Sequence, residues 1–527
     1  MPSLEGSEAA LESDGLDVPL EATRLSGPRA ATSGPGRSFL AAALTASGIA
    51  AIGLFSATGL GALREIFVAR TLGVADFGVI SLAESLENVL IKVAPLGLTA
   101  GLPVLVAEAR ARGDSLRAGR ALGTGLALGA SLAVAAAVVT LVASQLVAGS
   151  IDSPAAGPTV AIWSLVIAGG AFCQVAAAGF RGLLRVAAAT LSRDVTPNLL
   201  ILGLVAVALL AGLGVPTVAW AYAAGALLAA IVAGGFVIRT ARRDGLHLTV
   251  ATDDIRPVLA YSIPVLTMLA AGQLIRQLNV PVLGAVRGPE AVGLFSAALF
   301  FGTAVEGLFT SVTLVFLPYV SDLLARGGGG LVGHAQASVA RWLGLVTLGP
   351  VLLLSALPKQ WLALLFGSAF EPAADALRIV LLGLLVQAYI GPRNSVLLAM
   401  HKRSAVTLSF VVALALAAVV TAVAVPRLGL VGAAISYAIA VSVRSGLSVW
   451  QLARVEPSAR PTWSEWLAWL LLPVVVFAPA LAGDRPVVAL AIGSAAGVAL
   501  FLVTFWGRFH EEWAVLREIV RRPRRRR

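Results

Sequence analysis

Uncharged apolar runs of about 20 residues, the length that crosses a bilayer as an α-helix, recur from Phe39 almost to the end of this 527-residue chain. No soluble core could bury so many. Charged residues make up 13% of the chain, against roughly 25% in soluble proteins, and mean hydropathy is +0.90. Lipid must therefore be the solvent for much of the surface. The runs predict an all-α integral membrane protein of about fourteen transmembrane helices. The first six lie at 39–62, 78–102, 121–149, 158–180, 195–213 and 216–238. The next six lie at 258–284, 293–317, 338–358, 376–392, 405–425 and 428–450, and two more at 465–482 and 486–506.

Basic residues alternate between the connections. With the N-terminus inside, 29 of the 39 Lys and Arg residues fall in inside segments, seven outside and three within spans. Such a bias predicts cytoplasmic termini and an even number of crossings. The inside residues include Arg110, Arg112, Arg117 and Arg120, then Arg239, Arg242 and Arg243, and the C-terminal run Arg521 to Arg527. That placement explains the net charge of +11 as an attraction to anionic lipid rather than to nucleic acid. Residues 1–37, acidic at first and rich in Gly, Ser and Pro, predict a disordered cytoplasmic tail and no signal peptide. The single cysteine, Cys173, excludes a disulfide framework. The four histidines have no ligand spacing, so neither a metal site nor a cofactor is expected.

The chain also repeats itself. Residues 73–103 resemble 288–318 at an offset of 215: Gly73 with Gly288, Gly78 with Gly293, Ser81 with Ser296, Leu102-Pro103 with Leu317-Pro318. The register holds at Gly214 with Gly429 and at Tyr222 with Tyr437. Each half then contains six spans. Six is even, so the halves are parallel repeats around an axis along the membrane normal. The expected organisation is a tail at 1–37, six-helix lobes at 38–245 and 246–455, helices thirteen and fourteen at 456–507, and a basic cytoplasmic tail at 508–527.

Four segments carry a family resemblance: Ala62 to Gly78, Glu290 to Ala298 followed by Leu317-Pro318, Leu365-Phe366-Gly367 with Ala373 to Leu377, and Gly429 to Tyr437. In order and spacing they resemble the Wzx-type oligosaccharide flippases of the multidrug/oligosaccharidyl-lipid/polysaccharide (MOP) exporter superfamily, with MurJ-type lipid II flippases and MATE antiporters as cousins. The resemblance implies secondary transport of a lipid-linked glycan across the plasma membrane by alternating access of two lobes. It also implies membrane lipid and a coupling ion, H+ or Na+, as partners, alongside glycosyltransferases and a polysaccharide polymerase.

Ionisable groups at membrane depth are expensive and tend to face a cavity. In span two, Glu84, Asn88 and Lys92 form a stripe, with Glu87 beside it. Span eight offers Gly302, Glu306, Thr310 and Thr313; span seven offers Gln273, Arg276 and Gln277; Arg64 ends span one. The expectation is that Arg276, Arg64 and Lys92 line a central vestibule and hold a polyprenyl pyrophosphate, arginine being suited to bidentate phosphate contacts. Glu84, Glu87, Asn88, Gln273 and Glu306 would meet sugar hydroxyls or the coupling cation. The competing expectation is that these charges only neutralise one another and fix lobe packing. Arg393 is expected to snorkel to the interface, and Arg378 to pair with Asp375 in a loop.

A membrane glycosyltransferase or polymerase is disfavoured. The longest outside loop, about 359–375, holds only Glu371 and Asp375 as acids, and no nucleotide-binding motif appears. A MATE-type drug antiporter remains open, because Glu84 and Glu87 could form its cation site. A non-transporting scaffold is the third reading.

Overall fold

The computed structural model describes residues 56, 58–151, 153–251, 266, 270–483 and 485–505. The two tails, most of span one and the first part of span seven lie outside them. All the principal elements are helices: α1 Val74–Val93, α2 Leu98–Ala111, α3 Ser115–Ser150, α4 Ala156–Gly182, α5 Thr196–Leu210, α6 Val215–Arg243, α7 Asn279–Ala325, α8 Val332–Ala356, α9 Ala374–Ile390, α10 Arg403–Leu428, α11 Leu430–Val455, α12 Trp463–Phe477 and α13 Pro486–Phe505.

Among the described residues, twelve helices are long and apolar enough to cross a membrane. One of them, Ala270–Ala325, bends at Gly288 and holds both the end of the expected span seven and all of span eight. Residues 58–72 are the helical end of span one. The bundle is as predicted; the exact count of fourteen rests partly on residues outside the description.

Span two is interrupted, which hydropathy did not reveal. Leu96 and Gly97 both have positive φ, 44° and 79°, so α1 stops and α2 restarts at membrane depth. Broken helices of this kind are tolerated where the freed backbone faces protein or water rather than lipid. Span ten is likewise followed by a break at Gly391-Pro392 and a short helix, Arg393–Ala399.

In the N-terminal lobe, α4 packs against α1, α2, α3 and α6. Small residues allow the close approach: a Cβ on Gly169 would lie 2.6 Å from the Ala226 carbonyl oxygen. This is the packing expected where dispersion, not hydrophobic burial, joins helices. In the C-terminal lobe, α9 and α11 pack together, with α7, α8 and α10 around them. Helices α12 and α13 attach to α8 and α9 of that lobe.

The lobes meet where α1 crosses α7, and the duplication is visible there in the backbone. Gly73 has φ 83°, ψ 178°; Gly288, its repeat partner, has φ 80°, ψ 177°. A Cβ on Gly78 would sit 1.8 Å from the Pro289 oxygen, and one on Gly293 would sit 2.1 Å from the Val74 oxygen. Val74 and Pro289 are themselves 215 apart, so the contact is reciprocal about a local two-fold axis. Beside it, Phe77 of one lobe meets Phe366 and Phe370 of the other, with ring centroids 6.1 and 5.9 Å apart, and Phe300 and Phe301 meet Phe366 edge to face. Arg70 also donates to the Leu364 carbonyl across this end. The helix end carrying Gly73 and Gly288 is therefore sealed between the lobes. It lies opposite the end rich in arginine.

Candidate functional site

The structure sorts the predicted charges into two groups. In the N-terminal lobe, Arg64 pairs with Glu84 at 3.1 Å, both side chains about 15% exposed. The guanidinium also lies over the Tyr222 ring, 5.0 Å from its centroid, and reaches Asn198 Oδ1 at 3.5 Å. Asn198 in turn donates to the Asp194 carbonyl at 2.7 Å. Asp194 sits in a π-helical turn, Leu191–Val195, and takes both ends of a bidentate contact from Arg193 at 2.8 Å. Glu87 turns from the Glu84 stripe and accepts from the Trp163 indole at 2.7 Å. Glu65, not singled out in the sequence, lies within electrostatic reach of both Glu84 and Arg64.

The second group sits at the junction of the lobes. Arg276 forms an ion pair with Glu306. Lys92, from the other lobe, lies within electrostatic reach of both, and of Arg193. Lys92 and Asn88 are exposed on α1, immediately before the helix break. Arg276 is 41% exposed and Glu306 14%. Gln273 is buried at 8% and Gln277 half-buried. Arg276 and Glu306 are thus brought into contact, and Lys92 acts on them only at longer range. Arg64 is held elsewhere, in its pair with Glu84, so the three expected cations form no single cluster.

Glu306 also borders a cavity of about 360 Å³ walled by Phe309, Thr310, Thr313, Gln387, Asn394 and Arg444 among others. The stripe Glu306–Thr310–Thr313 therefore does face an opening, whereas Gly302 packs against Val380. Arg444 donates to Gln387 Oε1 at 2.6 Å and lies over Phe410, 5.1 Å from its centroid. The sequence did not single it out; its polar neighbours in the cavity include Ser445 and Ser448 on its own helix and Glu306, Thr310, Gln387 and Asn394 from three others.

Two further expectations meet different fates. Arg378 does pair with Asp375, at 3.0 Å, but in the first turns of α9 rather than in a loop, while its Nε donates to the Ser355 carbonyl. Arg393 does not snorkel. It is 1% exposed and donates to the Ile390 and Ala459 carbonyls at 3.2 and 2.7 Å. The helix break before it frees carbonyls that need donors, and these outcompete the interface. Burial pulls its guanidinium down to about 10, opposed by Glu465, which leaves it charged at neutral pH. Among the described residues no group of three or more His, Cys, Asp or Glu side chains could hold a metal.

Several solved structures share the fold. The lipid II flippase MurJ in an inward closed conformation superposes with a TM-score of 0.69 at 14% identity, covering 86% of this chain and 98% of its own. An inward-facing multidrug MATE transporter gives 0.59 at 15% identity, with 76% and 95% covered. A MOP superfamily transporter from Pyrococcus furiosus gives 0.55 at 17%, with 80% and 96% covered. Comparison with curated protein sequences found no match. The fold is that of the MOP superfamily, and the family model for polysaccharide biosynthesis proteins matches residues 45–324, more than half the chain. The chain therefore belongs to the polysaccharide biosynthesis protein family.

Proposed function

We propose that this chain is a flippase that carries polyprenyl-pyrophosphate-linked oligosaccharide across the plasma membrane, with both termini in the cytoplasm. Family membership supports a role in polysaccharide biosynthesis. The observation that carries the reading is the cationic junction between the lobes, where Lys92 and Arg276 exceed the single carboxylate of Glu306. Two cations against one anion at membrane depth favour an anionic passenger. Arg276 would bind the pyrophosphate together with Lys92, and Glu306 would hold Arg276 in place until substrate arrives. Glu84 fixes Arg64 in the N-terminal lobe, so Arg64 would shape that wall of the vestibule rather than grip phosphate. Asn88 and Gln273 would meet sugar hydroxyls. Alternating access would open the sealed aromatic end while closing the basic end.

The N-terminal carboxylates Glu65, Glu84 and Glu87 favour one second reading, a cation-coupled drug antiporter of the MATE kind. In the flippase they would supply the site for a coupling H+ or Na+. Reconstituted vesicles decide between the two. The flippase moves a polyprenyl-diphosphate oligosaccharide to the far leaflet, and Arg276→Ala reduces the rate at least tenfold. Absence of glycan movement, with ion-driven efflux of a cationic dye, overturns the proposal. Movement of lipid II alone would assign the chain to the peptidoglycan precursor instead.

A further inference from the structure

We propose that Arg444 is a second partner for Glu306: the carboxylate leaves Arg276 for Arg444 when an anionic headgroup takes Arg276, and returns to Arg276 to expel it. That the displacing anion is the diphosphate of a lipid-linked glycan rests on the flippase reading; the sharing of one carboxylate between two arginines does not.

Three segments of the C-terminal lobe supply the groups. Arg276 lies in the helical turns before α7 and forms the ion pair with Glu306. Glu306, in the middle of α7, also borders the cavity of about 360 Å³, and Arg444 of α11 borders the same cavity. Arg444 is half-buried and already oriented, with Nη2 donating to Gln387 Oε1 at 2.6 Å and the guanidinium over Phe410. Its counter-charge, at longer range, is Glu306. The buried Tyr437 lies within electrostatic reach of all three charges.

One carboxylate between two guanidiniums has two positions to occupy. In the structure it occupies the one on Arg276, whose side chain is 41% exposed and open to a ligand. A diphosphate on Arg276 brings a second anion beside Glu306, and like charges repel strongly where the dielectric is low. Without another partner, Glu306 would either resist the ligand or stand unpaired at membrane depth, which is costly. Arg444 removes that choice. The glutamate side chain can turn about its own rotatable bonds through the open cavity, so no backbone has to move. Because Gln387 and Phe410 hold Arg444 beforehand, little ordering is needed to receive the carboxylate. Arg444 thus acts on the passenger through Glu306 and is a positioning residue.

The test uses geranyl diphosphate and the purified full-length protein in detergent. By calorimetric titration, Arg444→Gln binds it about tenfold more weakly than the parent, and Arg444→Lys, which keeps the charge, recovers most of the loss. Glu306→Gln binds at least as tightly as the parent, and adding Arg444→Gln to it costs less than about twofold, because no carboxylate then needs a second partner. Infrared difference spectra of the parent show a carboxylate band that the ligand displaces and that Glu306→Gln lacks. That measurement needs no Arg444 variant, so a folding defect in Arg444→Gln does not decide the result. In vesicles, Arg444→Gln raises the KM for a polyprenyl-diphosphate oligosaccharide more than it lowers the maximal rate. An equal loss of binding from Arg444→Gln with and without Glu306→Gln overturns the proposal, since Arg444 would then grip the ligand itself or only support the fold. A Glu306 band unmoved by the ligand overturns it too. The band shift and the binding pattern without any glycan transport would leave the switch standing and remove the flippase reading instead.

Discussion

Replacing Gly78 with alanine tests the lobe crossing most directly. The new methyl carbon would start 1.8 Å from the Pro289 oxygen, 2.7 Å from its carbonyl carbon and 2.9 Å from the Gly293 nitrogen. Non-bonded carbon contacts settle near roughly 3.5 Å, so α1 and α7 must separate by something like 1.5 Å. All three obstacles are backbone, so no rotamer change relieves the clash. Overpacking of this kind costs about 1–3 kcal/mol, occasionally more, and an obstacle that cannot rotate puts the cost at about 3. Gly293→Ala should behave alike, since it meets the Val74 oxygen at 2.1 Å. The double variant should cost less than the two added together, by about 0.5–3 kcal/mol, because one separation relieves both clashes. Gly235 is the control: a Cβ there meets nothing within 4 Å, and alanine in a helix interior gains up to about 1 kcal/mol. Melting of the purified protein in detergent should rank Gly235→Ala at or above the parent and Gly78→Ala well below it. Parental melting for Gly78→Ala, or strict additivity in the double variant, would refute the reciprocal crossing.

Three other outcomes are expected. Glu306→Gln removes the partner of Arg276 and should lower glycan transport several-fold without loss of protein from the membrane, measured by rate and by quantitative blot. Arg393→Met takes the side-chain donor from the Ala459 carbonyl, while the Ile390 carbonyl keeps Gln336 Nε2, and should destabilise by about 1–3 kcal/mol, read as a lower melting midpoint; an unchanged midpoint would contradict the burial described. Cys173 is 2% exposed, so the folded protein should resist a thiol-reactive maleimide until denatured, and rapid labelling of the native protein would show the lobe to be more open.

The membrane fold and its duplication were legible because both depend on patterns that survive in one dimension: run length, charge alternation and a constant offset. Gly73 and Gly288 illustrate this, since a matched pair of glycines in the text became a matched pair of dihedral angles. The site was only half legible. Lys92, Arg276 and Glu306 stood out as charges inside apolar runs, and Arg276 and Glu306 do pair. Arg64 stood out equally, but its fate depended on Glu84, 20 residues away on another helix. Arg444 and Arg393 acquire their meaning from a helix break at Gly391-Pro392 that hydropathy does not register, because the segment remains apolar through it. Glu65 was hidden by its neighbour, the more conspicuous Arg64.

The crossing of α1 over α7 also bears on origins. Two identical six-helix chains, set side by side about an axis normal to the membrane, would each present the same glycine to the other's carbonyl. A contact that already satisfies that symmetry inside one polypeptide is what a fused homodimer would inherit. The charges on either side of the axis do not match: Arg64 with Glu84 in one half, Arg276 with Glu306 in the other, at positions unrelated by the repeat. The two halves match where they touch and differ where cargo would pass. That allows each half to acquire its own chemistry without renegotiating how the two fit together.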